Sequence, residues 1–221
     1  MNDIKILFED KYFIAVIKPY GVLSQGNENT HSICNDISSY LKQKNENGDV
    51  YVVHRLDKTT GGVMVFAKTK TAAKKLSELI TQGGFHKVYH CITQGTLDDS
   101  SGELTDLLYH DKNKNKTYVV KRERKGVKTA KLSYTVLNTA TIDNKSVSKI
   151  EVKLHTGRTH QIRVQFASRK HPLVGDRKYG SDIESKTIAL WSYQLSFTHP
   201  FTEKEIEISA EPEHDIFNMF S

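Results

Sequence analysis

The stretch Tyr51-Val52-Val53-His54-Arg55-Leu56-Asp57-Lys58-Thr59-Thr60-Gly61-Gly62-Val63-Met64-Val65-Phe66-Ala67 opens on three apolar residues and closes on a second apolar run. Both runs have the length and β-rich character of buried strands, and the Thr/Gly cluster between them is turn chemistry. The charged residues Arg55 and Asp57 therefore sit at a strand end. Side chains presented by a loop on a rigid sheet are well placed for function. An Arg and an Asp in a turn are also common, and as an exposed pair they contribute little. The rest of the chain has to decide between these readings.

On the N-terminal side, Ile4 to Phe8 and Tyr12 to Lys18 read as strands around Glu9-Asp10-Lys11, with a turn signal at Pro19-Tyr20-Gly21. Ser32 to Lys44 carries Ile33, Ile37, Tyr40 and Leu41 at helical spacing, with Thr30 or Ser32 as N-cap. Thr69 to Gln82 is a second helix, apolar at Ala72, Leu76, Leu79 and Ile80, with Gly83 as its stop. His86 to Gln94 alternates as a strand. Further strands are predicted at Glu103 to Leu108, Tyr118 to Arg122, Thr129 to Leu137, Val147 to Leu154, Ile188 to Phe197 and Glu205 to Ser209. Gln161 to Ser168 fits both periods, and periodicity does not decide it. Strands in series with few helices argue for an α+β fold on a mainly antiparallel sheet.

A chain of 221 residues is long enough to bury a core without staples, and residues 1–221 are expected to form a single domain. Cys34 and Cys91 lack metal or redox spacing, which predicts two buried, reduced thiols and a cytoplasmic protein. Met1 to Glu9 has no signal-peptide pattern. No apolar run reaches membrane-spanning length, and the mean hydropathy is −0.52, so no membrane partner is expected.

The formal net charge is +6, but its distribution matters more. Lys112 to Lys131 holds nine Lys or Arg against one acid, Glu123, a local +8 that leaves the remainder at −2. A concentrated basic patch is the footprint of a polyanion such as nucleic acid. The plainer alternative is a lysine-rich hairpin edge that resists aggregation.

A second cluster, His155, Arg158, His160 and Arg163, brackets a Thr-Gly turn after a strand. Three readings compete: a metal site of His155, His160 and His54, an anion-binding corner, and a hydrogen-bonded structural turn. The two arginines repel a cation, and no acid or Cys lies at ligand spacing. Arginine forks onto phosphate or carboxylate, so one of the pair is also suited to reach back and hold Asp57.

His54-Arg55-Leu56-Asp57 with the following Thr-Gly-Gly, and Thr156-Gly157-Arg158-Thr159-His160-Gln161-Ile162-Arg163, resemble the two signature motifs of the RluA family of pseudouridine synthases. Lys18-Pro19 with Gly21, Lys87-Val88-Tyr89, His171-Pro172-Leu173-Val174-Gly175-Asp176 with Tyr179-Gly180, and Leu190 with Leu195 to Pro200 extend the resemblance over almost the whole chain. Several long motifs in order are a far more specific signal than any one of them.

The resemblance implies a single catalytic domain of the pseudouridine synthase fold, with Gln161 to Ser168 a helix. It implies Asp57 as catalytic carboxylate, Arg158 as its ion-pair partner, Tyr89 as the ring that stacks on the target base and Leu190 as an apolar wall. Arg55 would enter the RNA helix as the uridine leaves, because a base is worked on only outside its stack. The isomerisation needs no cofactor or metal. Trp191 and Ser192 replace a His-Ala pair found in many members, which should alter packing behind the pocket. No separate N-terminal RNA-binding domain is expected, so binding of ribosomal or transfer RNA falls to Lys121, Arg122, Arg124 and Lys125 in the basic segment, with Arg163. A monomer without an obligate protein partner is expected. The alternative function is a non-catalytic RNA-binding protein that retains the fold.

Overall fold

The Tyr51–Ala67 stretch forms a short strand, a loop and a long strand in the computed structural model, which describes residues 4–27 and 30–220. In chain order the elements are β1 (Ile6–Glu9), β2 (Phe13–Lys18), α1 (Ile33–Gln43), β3 (Tyr51–Val52), β4 (Gly61–Ala67), α2 (Lys70–Thr81) and β5 (Phe85–Gln94). There follow β6 (Ser101–Asp111), β7 (Lys116–Val120), β8 (Val127–Ile142), β9 (Lys145–Leu154) and α3 (Gln161–Ala167). After a 3-10 turn at Arg177–Tyr179 come β10 (Leu190–Thr198), β11 (Glu205–Ser209) and α4 (Asp215–Asn218). The fold is α+β on a mainly antiparallel sheet, as predicted. No described helix is long and apolar enough to cross a membrane.

The chain divides into two compact units, Met1–Lys87 with Ser192–Glu211, and Val88–Trp191 with Pro212–Ser221. In the first, β2 pairs antiparallel with β1 and β4, β3 pairs with β4, and β11 with β10. Its core joins Phe13, Ala15, Val63 and Val65 of the strands to Ala72 and Leu76 of α2, and to Phe85, Leu195 and Phe197. Every residue of β2 and β4 is buried, so their apolar runs do not alternate. Helix α1 starts where Ser32 accepts the Asn35 N–H, and α2 where Thr69 accepts that of Ala72.

In the second unit the strand order is β5-β9-β8-β6-β7, all antiparallel. Strand β8 runs to Ile142, beyond the predicted Leu137. Its largely exposed end, Asn138 to Thr141, holds only Ala140 as an apolar residue and so lacks the alternation that marks a strand, yet it continues pairing with β9 past a bulge at Val136/Asn138. Strand β7 begins at Lys116 rather than at the predicted Tyr118, because Thr117 is buried and pairs with His110. Helix α3 settles the ambiguous segment. Residues 161–166 are all buried, so no polar face was present to reveal the helical period.

Both cysteines are free, but only Cys91 is fully buried. Cys34 is half-buried, in the first turn of α1 where its Sγ points at the Val50 carbonyl, which corrects the expectation of two buried thiols.

Candidate active site

The Asp57 loop in the first unit is fastened on both sides of the carboxylate. The buried Ser24 hydroxyl donates to the Leu56 carbonyl at 2.7 Å and accepts the Leu56 N–H at 3.0 Å. The Gly21 N–H donates to the Lys58 carbonyl at 2.8 Å, and the Thr60 N–H to that of Asp57 at 3.0 Å. The backbone of residues 56–58 is thereby tied to the 21–24 turn, which leaves Asp57 half-buried and Arg55 exposed. The loop ends at Gly62, with φ +117°, where a Cβ would lie 2.3 Å from the Ser192 carbonyl oxygen. Only glycine fits. Ser192, completely buried, donates its hydroxyl to the Val63 carbonyl, so this departure from the His-Ala pattern is absorbed as a hydrogen bond to β4.

Lys18 is a buried residue beside this loop for which the sequence reading assigned no role. It is 0 % exposed, lies opposite Gly62 in the β2–β4 register, and its Nζ donates to the Pro19 and Val22 carbonyls, each at 2.8 Å. Burial lowers its pKa to about 8, and the nearby charge of Asp57 acts in the opposite sense, favouring the ammonium. This one side chain shapes the turn that grips the Asp57 loop and supplies a cation toward the carboxylate. Its sequence signals were a lysine closing the run Phe13–Lys18 and its place in the Lys18-Pro19-Gly21 motif, neither of which gave it a task.

His54 is structural. Its Nε2 accepts the Val65 N–H at 3.1 Å, its ring lies 5.5 Å from that of Phe85, and burial together with the Lys87 charge lowers its pKa to about 3. The ring is neutral at any working pH.

In the second unit, the turn bearing Arg158 hangs on one point of β8. The Lys131 carbonyl accepts N–H groups from His155 and Thr156 and the Gln161 side-chain amide, while the Lys131 N–H donates to Thr156 Oγ1. Gln161 Oε1 accepts both the Thr156 hydroxyl and the Arg158 N–H. Arg158, half-buried, donates its Nε to the Thr129 carbonyl at 2.9 Å, which fixes the guanidinium plane beside the end of the basic segment. His160 adopts left-handed φ at 54° as the helix cap, and its Nδ1 is hydrogen-bonded to the Tyr179 hydroxyl at 2.9 Å. That hydroxyl also accepts the Thr117 N–H, while the Thr117 hydroxyl donates to the Thr159 carbonyl, so β7 is tied to the same turn. His155 is hydrogen-bonded to Ser133 at 3.1 Å. Most of this corner is therefore the hydrogen-bonded turn that the sequence offered as one of three readings.

Arg163 is a correction. It is 5 % exposed and forks onto Asp176, itself 1 % exposed, at 2.6 and 2.9 Å. A guanidinium so buried and paired does not face RNA. Its motif position placed it among the binding residues, but the first turn of a helix buried on all sides turned it inward.

Tyr89 lies on β5 opposite Val152 of β9, 6 % exposed, and Leu190 opens β10 at 5 % exposed. Both can serve as walls. Lys121, Arg122, Arg124 and Lys125 are all exposed in the connection between β7 and β8.

Residues 12–168 match the family model described as RNA pseudouridylate synthase. The "Uncharacterized RNA pseudouridine synthase YhcT" of Bacillus subtilis (strain 168) is 32% identical over 223 residues, covering 99% of this chain and 72% of that protein. A tRNA pseudouridine synthase C of Vibrio vulnificus (strain CMCP6) is 27% identical over 94% of this chain and 90% of its own length. The solved structure of human RNA Pseudouridylate Synthase Domain Containing 4 superimposes with a TM-score of 0.76 at 25% identity, covering 95% of this chain and 89% of that one. With the family model spanning both the Asp57 loop and the Arg158 turn, the chain belongs to the RNA pseudouridylate synthase family, in its RluA branch.

Proposed function

We propose that this chain isomerises specific uridines of ribosomal or transfer RNA to pseudouridine, with Asp57 as the catalytic carboxylate. The observation that carries the reading is a half-buried carboxylate on a loop fastened to the 21–24 turn, with its charge felt by the buried ammonium of Lys18 that shapes that turn. The reaction breaks the bond from uracil N1 to C1′, turns the base, joins C5 to C1′ and releases the C5 proton, while N1 takes up a proton. Every heavy atom is retained and no electrons are exchanged, so positioned side chains suffice. Asp57 acts by attacking the base or at the sugar, and Tyr89 and Leu190 hold the base meanwhile. Arg55 fills the gap in the RNA helix, and the exposed cations of the basic segment hold phosphates.

RNA transcripts labelled with tritium at uracil C5 test this directly, since the label reaches water only when C5 changes partners. Release is expected from a ribosomal or a transfer RNA with the wild-type chain and none with Asp57→Asn. Binding without release from any RNA would move the chain to the non-catalytic alternative.

Two further outcomes follow from the proposed roles. Replacing Lys121, Arg122, Arg124 and Lys125 with Ala should weaken RNA binding and reduce the log–log salt slope by about 3. An unchanged slope would reduce the segment to a solubility device. On the same reading Arg158 takes part in the reaction, and Arg158→Met should lower single-turnover rate by about tenfold to a hundredfold. An unchanged rate would leave Arg158 only a structural part of its own turn.

A further inference from the structure

Tyr118 is 37% exposed on β7, the last strand in the order of its unit, in the middle of the most basic segment of the chain. Side chains alternate along a strand, so the buried Thr117 and Leu108 mark one face, and Tyr118 with its cross-strand partner Tyr109 marks the other. Two cations are seated on this outer aromatic face. The Arg124 guanidinium lies 4.6 Å from the centre of the Tyr109 ring, returned there by the turn in which the Val127 N–H donates to the Arg124 carbonyl and Gly126 takes φ +87°. The Lys116 ammonium lies 5.8 Å from the centre of the Tyr118 ring and 5.4 Å from that of Tyr179. Lys121, Arg122 and Lys125 are exposed close by in sequence.

We propose that Tyr118, flanked by Lys116 and the Arg124–Tyr109 stack, is a platform on which an unpaired base of the RNA strand stacks, a base other than the one being isomerised. The inference rests on the RNA-modifying reading above and adds a substrate feature to it. Phosphate contacts alone would need only the lysines and arginines. An exposed ring among them offers a π-face to a base, and any base can use it. A duplex hides its base faces, so the platform selects RNA with an unpaired nucleotide beside the target helix. The same cations oppose pairing of the β7 edge with a strand of another protein.

The platform contributes to affinity without contributing charge, and this separates it from the neighbouring lysines. The probe is a single-stranded 12-nucleotide RNA carrying one 2-aminopurine, compared with the same RNA annealed to its complement. Wild-type protein should quench the single-stranded probe. Tyr118→Ala should weaken its binding about tenfold, abolish the quenching and leave the salt slope unchanged, while duplex binding stays as it was. Tyr118→Phe should match wild type and Tyr118→Leu should match Tyr118→Ala, since stacking needs the ring and not merely apolar area. Equal loss on duplex and single strand, no loss at all, or Leu performing as well as Phe would overturn the proposal. So would sedimentation showing that the binding change tracks self-association through the β7 edge. Tritium release is scored separately, so a chain that binds through Tyr118 but releases no label refutes the isomerase reading and leaves the platform standing.

Discussion

Asp57→Asn lowers single-turnover isomerisation by about a thousandfold or more while RNA affinity changes by less than about twofold; this is the largest effect the proposed mechanism predicts. The substitution keeps size and polarity. The loop is held through backbone and Ser24 contacts at Leu56, the Asp57 carbonyl and Lys58, none of which uses the carboxylate, so the fold should be untouched. On the proposed reading affinity comes from phosphate contacts and base stacking, which the substitution leaves in place. Filter binding and single-turnover rates on the same RNA check both halves. A rate within tenfold of wild type would remove Asp57 from the chemistry.

Lys18→Met should lower turnover by about a hundredfold, because it removes the cation toward Asp57 and both hydrogen bonds that shape the gripping turn. The pH behaviour of the wild type separates these roles. With its pKa at about 8 in the folded chain, Lys18 loses its charge as pH rises past 8, and turnover should fall there. Stability should move the other way. Between about 8 and the ordinary 10.5 the unfolded chain binds this proton and the folded chain does not, so stability rises with pH across that window. Burial of the charged form thus costs stability below pH 8. Lys18→Arg stays charged throughout, so its turnover should lack the alkaline fall, although a larger group in a filled space should cost about 1–3 kcal/mol. Rate and denaturant stability measured from pH 6 to 10 check this; an alkaline fall that persists in Lys18→Arg would assign it to another group.

The strands around Asp57 were legible in the sequence because β2 and β4 are buried on both faces and read as continuous apolar runs between turn signals. Helix α3 was not, for the converse reason. A helix buried all round loses the polar stripe that periodicity detects, and only the motif resemblance pointed to it. The Arg163 outcome has the same origin, since a sequence shows that an arginine is present but not which way its helix turns it. Lys18 was visible as a residue and silent as a function, because its role depends on two carbonyls a few residues ahead and on a carboxylate 39 positions away. The basic segment showed its charge plainly. The aromatic pair across β6 and β7 became evident only with the strand register, which begins two residues before the predicted start.

The central claim is that this chain makes pseudouridine through Asp57. Pseudouridine mapping across total RNA from cells carrying the wild-type chain, no chain, or Asp57→Asn tests it most directly. The account predicts at least one position in ribosomal or transfer RNA modified with the wild type and unmodified in the other two. Identical maps in all three would contradict it.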